Sequence, residues 1–122
     1  MAYETYLALE AERNRLRLQA QQLTQLIRAE EERIRNKARR INEYFARETG
    51  YISQIQDYNQ RVAAMIRMQE NMRQMYDELY REQILVNTYR RQLEALQERL
   101  RYLDAEIQRY RELLLRGRRS VI

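Results

Sequence analysis

Apolar residues recur along this chain at alternating steps of three and four, most sharply in its second half. Leu79, Val86, Leu93, Leu100, Ile107 and Leu114 fall at heptad position a, and Met75, Tyr89, Leu96, Leu103 and Tyr110 at d. The register runs back through Met65, Met68 and Met72, and its one polar break is Glu82. An apolar stripe sustained over about seven heptads lets one helix pack along another. The first half has a weaker seam, with Tyr6, Ala20, Ile27, Ile34 and Ile41 at a and Leu9, Leu16, Leu23 and Tyr44 at d. Arg13, Glu30 and Lys37 interrupt it. Between the seams, acid-before-base pairs such as Glu31 and Arg35, Glu43 and Arg47, and Asp77 and Arg81 stand four apart. Each adds about 0.2–0.5 kcal/mol to a solvated helix.

One stretch, "RETGYISQIQ", carries signals for a break. Gly50 suits a left-handed residue closing a helix, with Tyr51 packing back on the last turn. Ser53 and Gln56 follow with the S-x-x-Q spacing of a capping box. The expected architecture is all-α, a long antiparallel coiled-coil hairpin. Its first helix covers 1–49, the turn 50–52, the longer second helix 53–116, and a basic tail 117–122, with Gly117 ending the second helix. The alternative is one continuous helix in a parallel coiled coil. A mid-helix glycine costs only about 1 kcal/mol, and the first seam continues in phase through Tyr51, Ile55, Tyr58, Val62 and Met65.

Composition agrees with long helices. There is no proline, only two glycines, 34% charged residues and a mean hydropathy of −0.89, so the apolar residues must occupy a narrow stripe. No apolar run approaches the roughly 18 residues of a membrane span. "MAYETYLALEAER" has acids early and lacks the basic and apolar regions of a classical signal peptide. The expected location is the cytoplasm, or the inside of an intracellular or viral particle.

Catalytic chemistry has little to draw on. There is no cysteine and no histidine, the two glycines stand far apart, and the carboxylates fall on helical faces among arginines. Thiolate nucleophiles, histidine metal sites and glycine-rich phosphate loops are thereby excluded. The expectation is a protein that is not an enzyme, with no cofactor, no metal and no small-molecule substrate.

Binding is better supplied. The second seam, from Met65, Met68, Met72 and Met75 through Leu79, Val86, Leu93, Leu96 and Leu100 to Leu103, Ile107, Tyr110 and Leu114, is the candidate partner interface. If the turn lies near Gly50, Leu103, Ile107 and Leu114 extend beyond the first helix and are central to that contact. Apolar flanks such as Ile52, Ile66 and Leu85 also lack cover in a two-helix arrangement. The methionines fit either an adaptable partner groove or soft packing against the first helix. Six of the ten tyrosines (Tyr6, Tyr44, Tyr51, Tyr58, Tyr89 and Tyr110) fall on seam positions, where the ring is buried and the hydroxyl reaches the rim.

Net charge is +5, carried by 22 arginines and Lys37 against 18 acids. "RIRNKARR" gathers Arg33, Arg35, Lys37, Arg39 and Arg40, and the tail adds Arg116, Arg118 and Arg119. These are the candidate polyanion contacts, whose binding would weaken with salt; the acids Glu30 to Glu32 just upstream favour a balanced solvent face instead. Ser120, Val121 and Ile122 also match the short C-terminal pattern that PDZ domains read. The expected function is a coiled-coil structural or adaptor subunit of a larger protein assembly, of the virion or secretion-apparatus kind. Its partners would be proteins docking through the seam, in a homo-oligomer or a larger complex. Two alternatives stand beside it, a basic nucleic-acid-associated helical protein and an export chaperone or stalk-like hairpin.

Overall fold

The structure, a computed structural model, describes the backbone of residues 1–120 and side chains as far as Gly117. It is a helical hairpin of two α-helices that pack against each other, α1 at Ala2–Ser53 and α2 at Tyr58–Ser120. The hairpin expectation holds, and the continuous helix does not form.

The turn lies later than the sequence signals suggest. α1 continues through Gly50 to Ser53, the non-helical link is 54–57, and no described residue has a positive φ. Gly50 is therefore an ordinary helical residue, and a Cβ there would meet nothing within 4 Å. The physical reason is Ile52, which is buried at 8% exposure. Ending α1 at residue 49 would take Ile52 out of its buried position beside the seam and forfeit about 1.5–3 kcal/mol of burial. Keeping a glycine in the helix costs only about 1 kcal/mol, so burial wins.

α1 ends by tightening its last turn. Gln54 N donates to Tyr51 O at 3.1 Å, Ile55 N donates to Ile52 O at 3.1 Å, and the Ser53 hydroxyl donates to Gly50 O at 2.7 Å. Ser53 thus closes α1 instead of opening α2. Asp57 opens α2, since its Oδ2 accepts from Gln60 N at 2.9 Å while its carbonyl accepts from Arg61 N at 2.9 Å. This D-x-x-Q cap satisfies a backbone donor of the first turn. At the other end, α2 runs through Gly117 as helix, so that glycine does not stop it.

The chain divides into two compact units. In the first, Met1–Leu26 packs with the part of α2 from Tyr89 onward. Leu16, Leu103 and Ile107 form its buried centre, and Tyr6, Leu9, Leu23, Leu93, Leu96, Leu100, Tyr110 and Leu114 are half-buried around it. The second unit is Ile27–Thr88, which contains the turn. Ile27, Ile41, Ile52 and Val86 are buried there, beside half-buried Ile34, Tyr44, Met68, Met72, Met75 and Leu79.

Each unit keeps a constant antiparallel register. In the first, Tyr6 bonds to Arg111 and Arg13 pairs with Asp104, seven residues up one helix for seven down the other. In the second, Lys37 pairs with Glu78 and Tyr44 bonds to Asn71, again a seven-residue step on both helices. A heptad match on both helices is what a coiled-coil seam requires.

Candidate helix–helix interaction surfaces

Both seams turn inward, as their period predicts. On α2 every seam residue from Met68 to Leu114 is buried or half-buried, and only Met65 is exposed. The stripe expected to meet a separate partner is packed within the hairpin itself. Leu103 and Ile107, expected to lie beyond the first helix, are the most deeply buried apolar side chains of their unit, at 0% and 1% exposure. The N-terminal turns of α1 reach as far as Arg111 and cover them. Ile52 is covered too, whereas Ile66 and Leu85 are exposed as expected.

The tyrosines divide. Tyr6, Tyr44, Tyr89 and Tyr110 are half-buried on the seam, while Tyr51 and Tyr58, which flank the turn, are exposed. Tyr6 is the centre of a polar clasp in the first unit. Its hydroxyl donates to Glu10 Oε1 at 2.6 Å and accepts from Arg111 Nε at 3.0 Å, and Arg111 Nη2 also reaches Glu10 at 3.3 Å. The Tyr6 hydroxyl, with help from Arg111 and Arg13, holds the Glu10 carboxyl below its ordinary range, against a smaller opposing effect of desolvation. Bonding to Tyr6 and to Glu10 raises Arg111 in turn. Next along the helices, Arg13 and Arg17 both approach Asp104, at 3.6 and 3.7 Å, and Arg99 binds Glu12 at 3.0 Å.

The polar interruptions of the seams are structural elements in their own right. Lys37 breaks the first seam and Glu82 the second, and the two meet, with Nζ 2.5 Å from Oε1. Neither sequence period alone reveals this, because each shows a break without showing what faces it. Two defects at matching heptad phase were the available signal. Glu30, another interruption of the α1 seam, is buried and accepts from Arg33 at 2.5 Å. Among the described residues, three buried side-chain polar atoms have no bonding partner: Arg13 Nε, Arg61 Nε and Glu82 Oε2.

This pairing reshapes the basic cluster. Of its five cations, Arg33 is taken by Glu30, Arg35 by Glu32 at 2.6 Å, and Lys37 by Glu82. The Glu32 carboxyl is lowered chiefly by its bond from Arg35. Arg39 and Arg40 are exposed, and so is Arg116. The side chains of Arg118, Arg119, Ser120, Val121 and Ile122 lie outside the described residues.

The outer faces retain much apolar surface. In the first unit Leu7, Leu18, Leu26, Tyr102, Leu113 and Leu115 are each about half exposed, and a groove lined by Leu23, Leu26, Ala95 and Leu96 opens between Gln19, Gln22 and Gln92. In the second, Phe45, Ile66, Tyr76, Tyr80 and Ile84 are exposed. No group of three or more candidate metal ligands occurs among the described residues, and none of the described helices is long and apolar enough to cross a membrane. Comparison with family models, with curated proteins and with solved structures finds no match.

Proposed function

We propose that the chain is a non-enzymatic coiled-coil subunit, structural or adaptor, of a larger protein assembly of the virion or secretion-apparatus kind, and that it acts through helix–helix contacts. One observation carries this reading. Each helix covers a single seam, yet the faces away from the seam still expose leucines, isoleucines and tyrosines in both units. Contiguous exposed apolar surface on a soluble chain marks a site of association. The contact surface is thus the outer faces of the hairpin, because the inner seam is already occupied.

The nucleic-acid reading has less support, since three of the five clustered cations are held by carboxylates of the same chain. The experiment is molar mass by light scattering, first on the purified chain and then, after cross-linking, in an extract of the cells that make it. The expected result is a species heavier than the 15.1 kDa chain in at least one setting, and affinity for duplex DNA that is weak and steeply salt-dependent. A cooperatively unfolding monomer in both settings overturns the reading.

A further inference from the structure

The outward face of α2 in the second unit is self-complementary. Ile66 and Ile84 stand 18 residues apart, which is five full turns at 3.6 residues each, so they share one azimuth on the helix. They are 59% and 48% exposed, on the side away from the seam residues Met72, Met75 and Leu79. Between them on the same face lie Arg73 and Asp77, both exposed, with Tyr76 and Tyr80 along one flank. Neither Arg73 nor Asp77 has a hydrogen-bond or ion-pair partner among the described residues. Their order, base before acid at i,i+4, is the less favourable one within a helix.

The two pairs have the same midpoint. Met75 is equidistant from Ile66 and Ile84, and also from Arg73 and Asp77. We propose that this face docks antiparallel on the same face of a second copy of the chain, about a two-fold axis at the height of Met75. Ile66 then lies against Ile84 of the second copy, and Arg73 meets Asp77 of the second copy, each contact made twice. Isologous pairing demands such self-complementarity. The rest of the face agrees, since this register sets Glu70 against Arg81 on one flank and Gln69 against Tyr80 on the other, and sets no like charges against each other between Val62 and Thr88. The inference rests on the assembly reading above and names its partner and surface.

The charge pairs give a test that no unspecific apolar contact would pass. Arg73→Asp sets a new carboxylate against Asp77 of the second copy, and Asp77→Arg sets two guanidinium groups together, so each variant alone repels itself. Mixed, they form a heterodimer in which both contacts again join opposite charges, because one chain carries two acids on this face and the other two bases. The measurement is sedimentation equilibrium of the full chain at low salt, with circular dichroism to confirm unchanged helix content. Wild type is expected to dimerise. Arg73→Asp, Asp77→Arg and Ile84→Glu each weaken dimerisation at least about tenfold, and mixing the first two restores it.

A wild-type monomer overturns the proposal, and the extract experiment then decides the assembly reading separately. Self-association unaffected by these changes but abolished by Leu18→Glu overturns it while leaving the assembly reading in place. The same holds for a monomer whose complexes in extract disappear with Ile84→Glu, which assigns the face to a different partner helix.

Discussion

Removing the ammonium of Lys37 isolates the contribution of one cross-helix pair. Lys37→Met keeps the unbranched stem, so packing along the seam is retained and only the charge is lost. What remains is Glu82, 20% exposed at its side chain, with Oε2 already lacking a partner and Oε1 now losing its 2.5 Å contact. A hydrogen bond to a charged group is worth about 1.5–3 kcal/mol. Lys37 is itself about a third exposed, so water reaches the pair and the lower end applies, about 1.5 kcal/mol. Glu82→Leu is milder, because Lys37 retains Glu78 at 4.0 Å and leucine gains burial. Combining Lys37→Met with Glu82→Leu removes the orphaned charge and should match or exceed wild type, as buried pairs replaced by apolar groups often do. The assay is urea unfolding followed by circular dichroism at one fixed protein concentration, since association shifts the midpoint. A Lys37→Met midpoint equal to or above wild type, or a double variant less stable than Lys37→Met alone, refutes the reasoning.

Leu103→Ala empties a fully buried site and should cost about 2–5 kcal/mol, whereas Leu113→Ala, at a position 47% exposed, should stay within about 0.5 kcal/mol in the same unfolding assay. Gly50→Ala should stabilise by about 1 kcal/mol, because the position is helical and open; destabilisation would mean that a left-handed cap is needed there. Asp57→Ala should lose about 1 kcal/mol with its cap, read as a lower thermal midpoint. Glu10 has a folded pKa below its unfolded value, so its contribution is full above the ordinary range near 4.5 and is lost as pH falls through the folded value. Acid unfolding of Glu10→Gln should therefore be less steep below about pH 4.5 than that of wild type.

Both seams were legible in the sequence because their apolar residues recur at a period that only a helix can use. The turn was not. Gly50 and Ser53 are local signals, and a few tenths to 1 kcal/mol of local preference yields to the burial of Ile52, which depends on what lies across from it. The burial of Leu103 and Ile107 was not legible for the same reason. A heptad stripe states that a face is covered without stating by what, and the later link, with α1 ending at Ser53 and α2 starting at Tyr58, decides that Leu103 and Ile107 are covered internally. The pairing of Lys37 with Glu82 was visible only as two separate defects.

The division of the chain has a consequence for how it is assembled in time. The second unit is one continuous segment around the turn, whereas the first unites two segments separated by the 62 residues of Ile27–Thr88. Its pairs span long separations, 87 residues between Glu12 and Arg99 and 105 between Tyr6 and Arg111, against 27 between Tyr44 and Asn71. Closing long loops costs entropy before any contact repays it, so pairing starts beside the turn and spreads toward the chain ends. Damage near Asp57 then slows folding, whereas damage at Tyr6 or Arg111 mainly hastens unfolding. During synthesis, α1 emerges with its whole apolar seam bare before a matching residue of α2 exists, and that interval is when the chain is most exposed to aggregation.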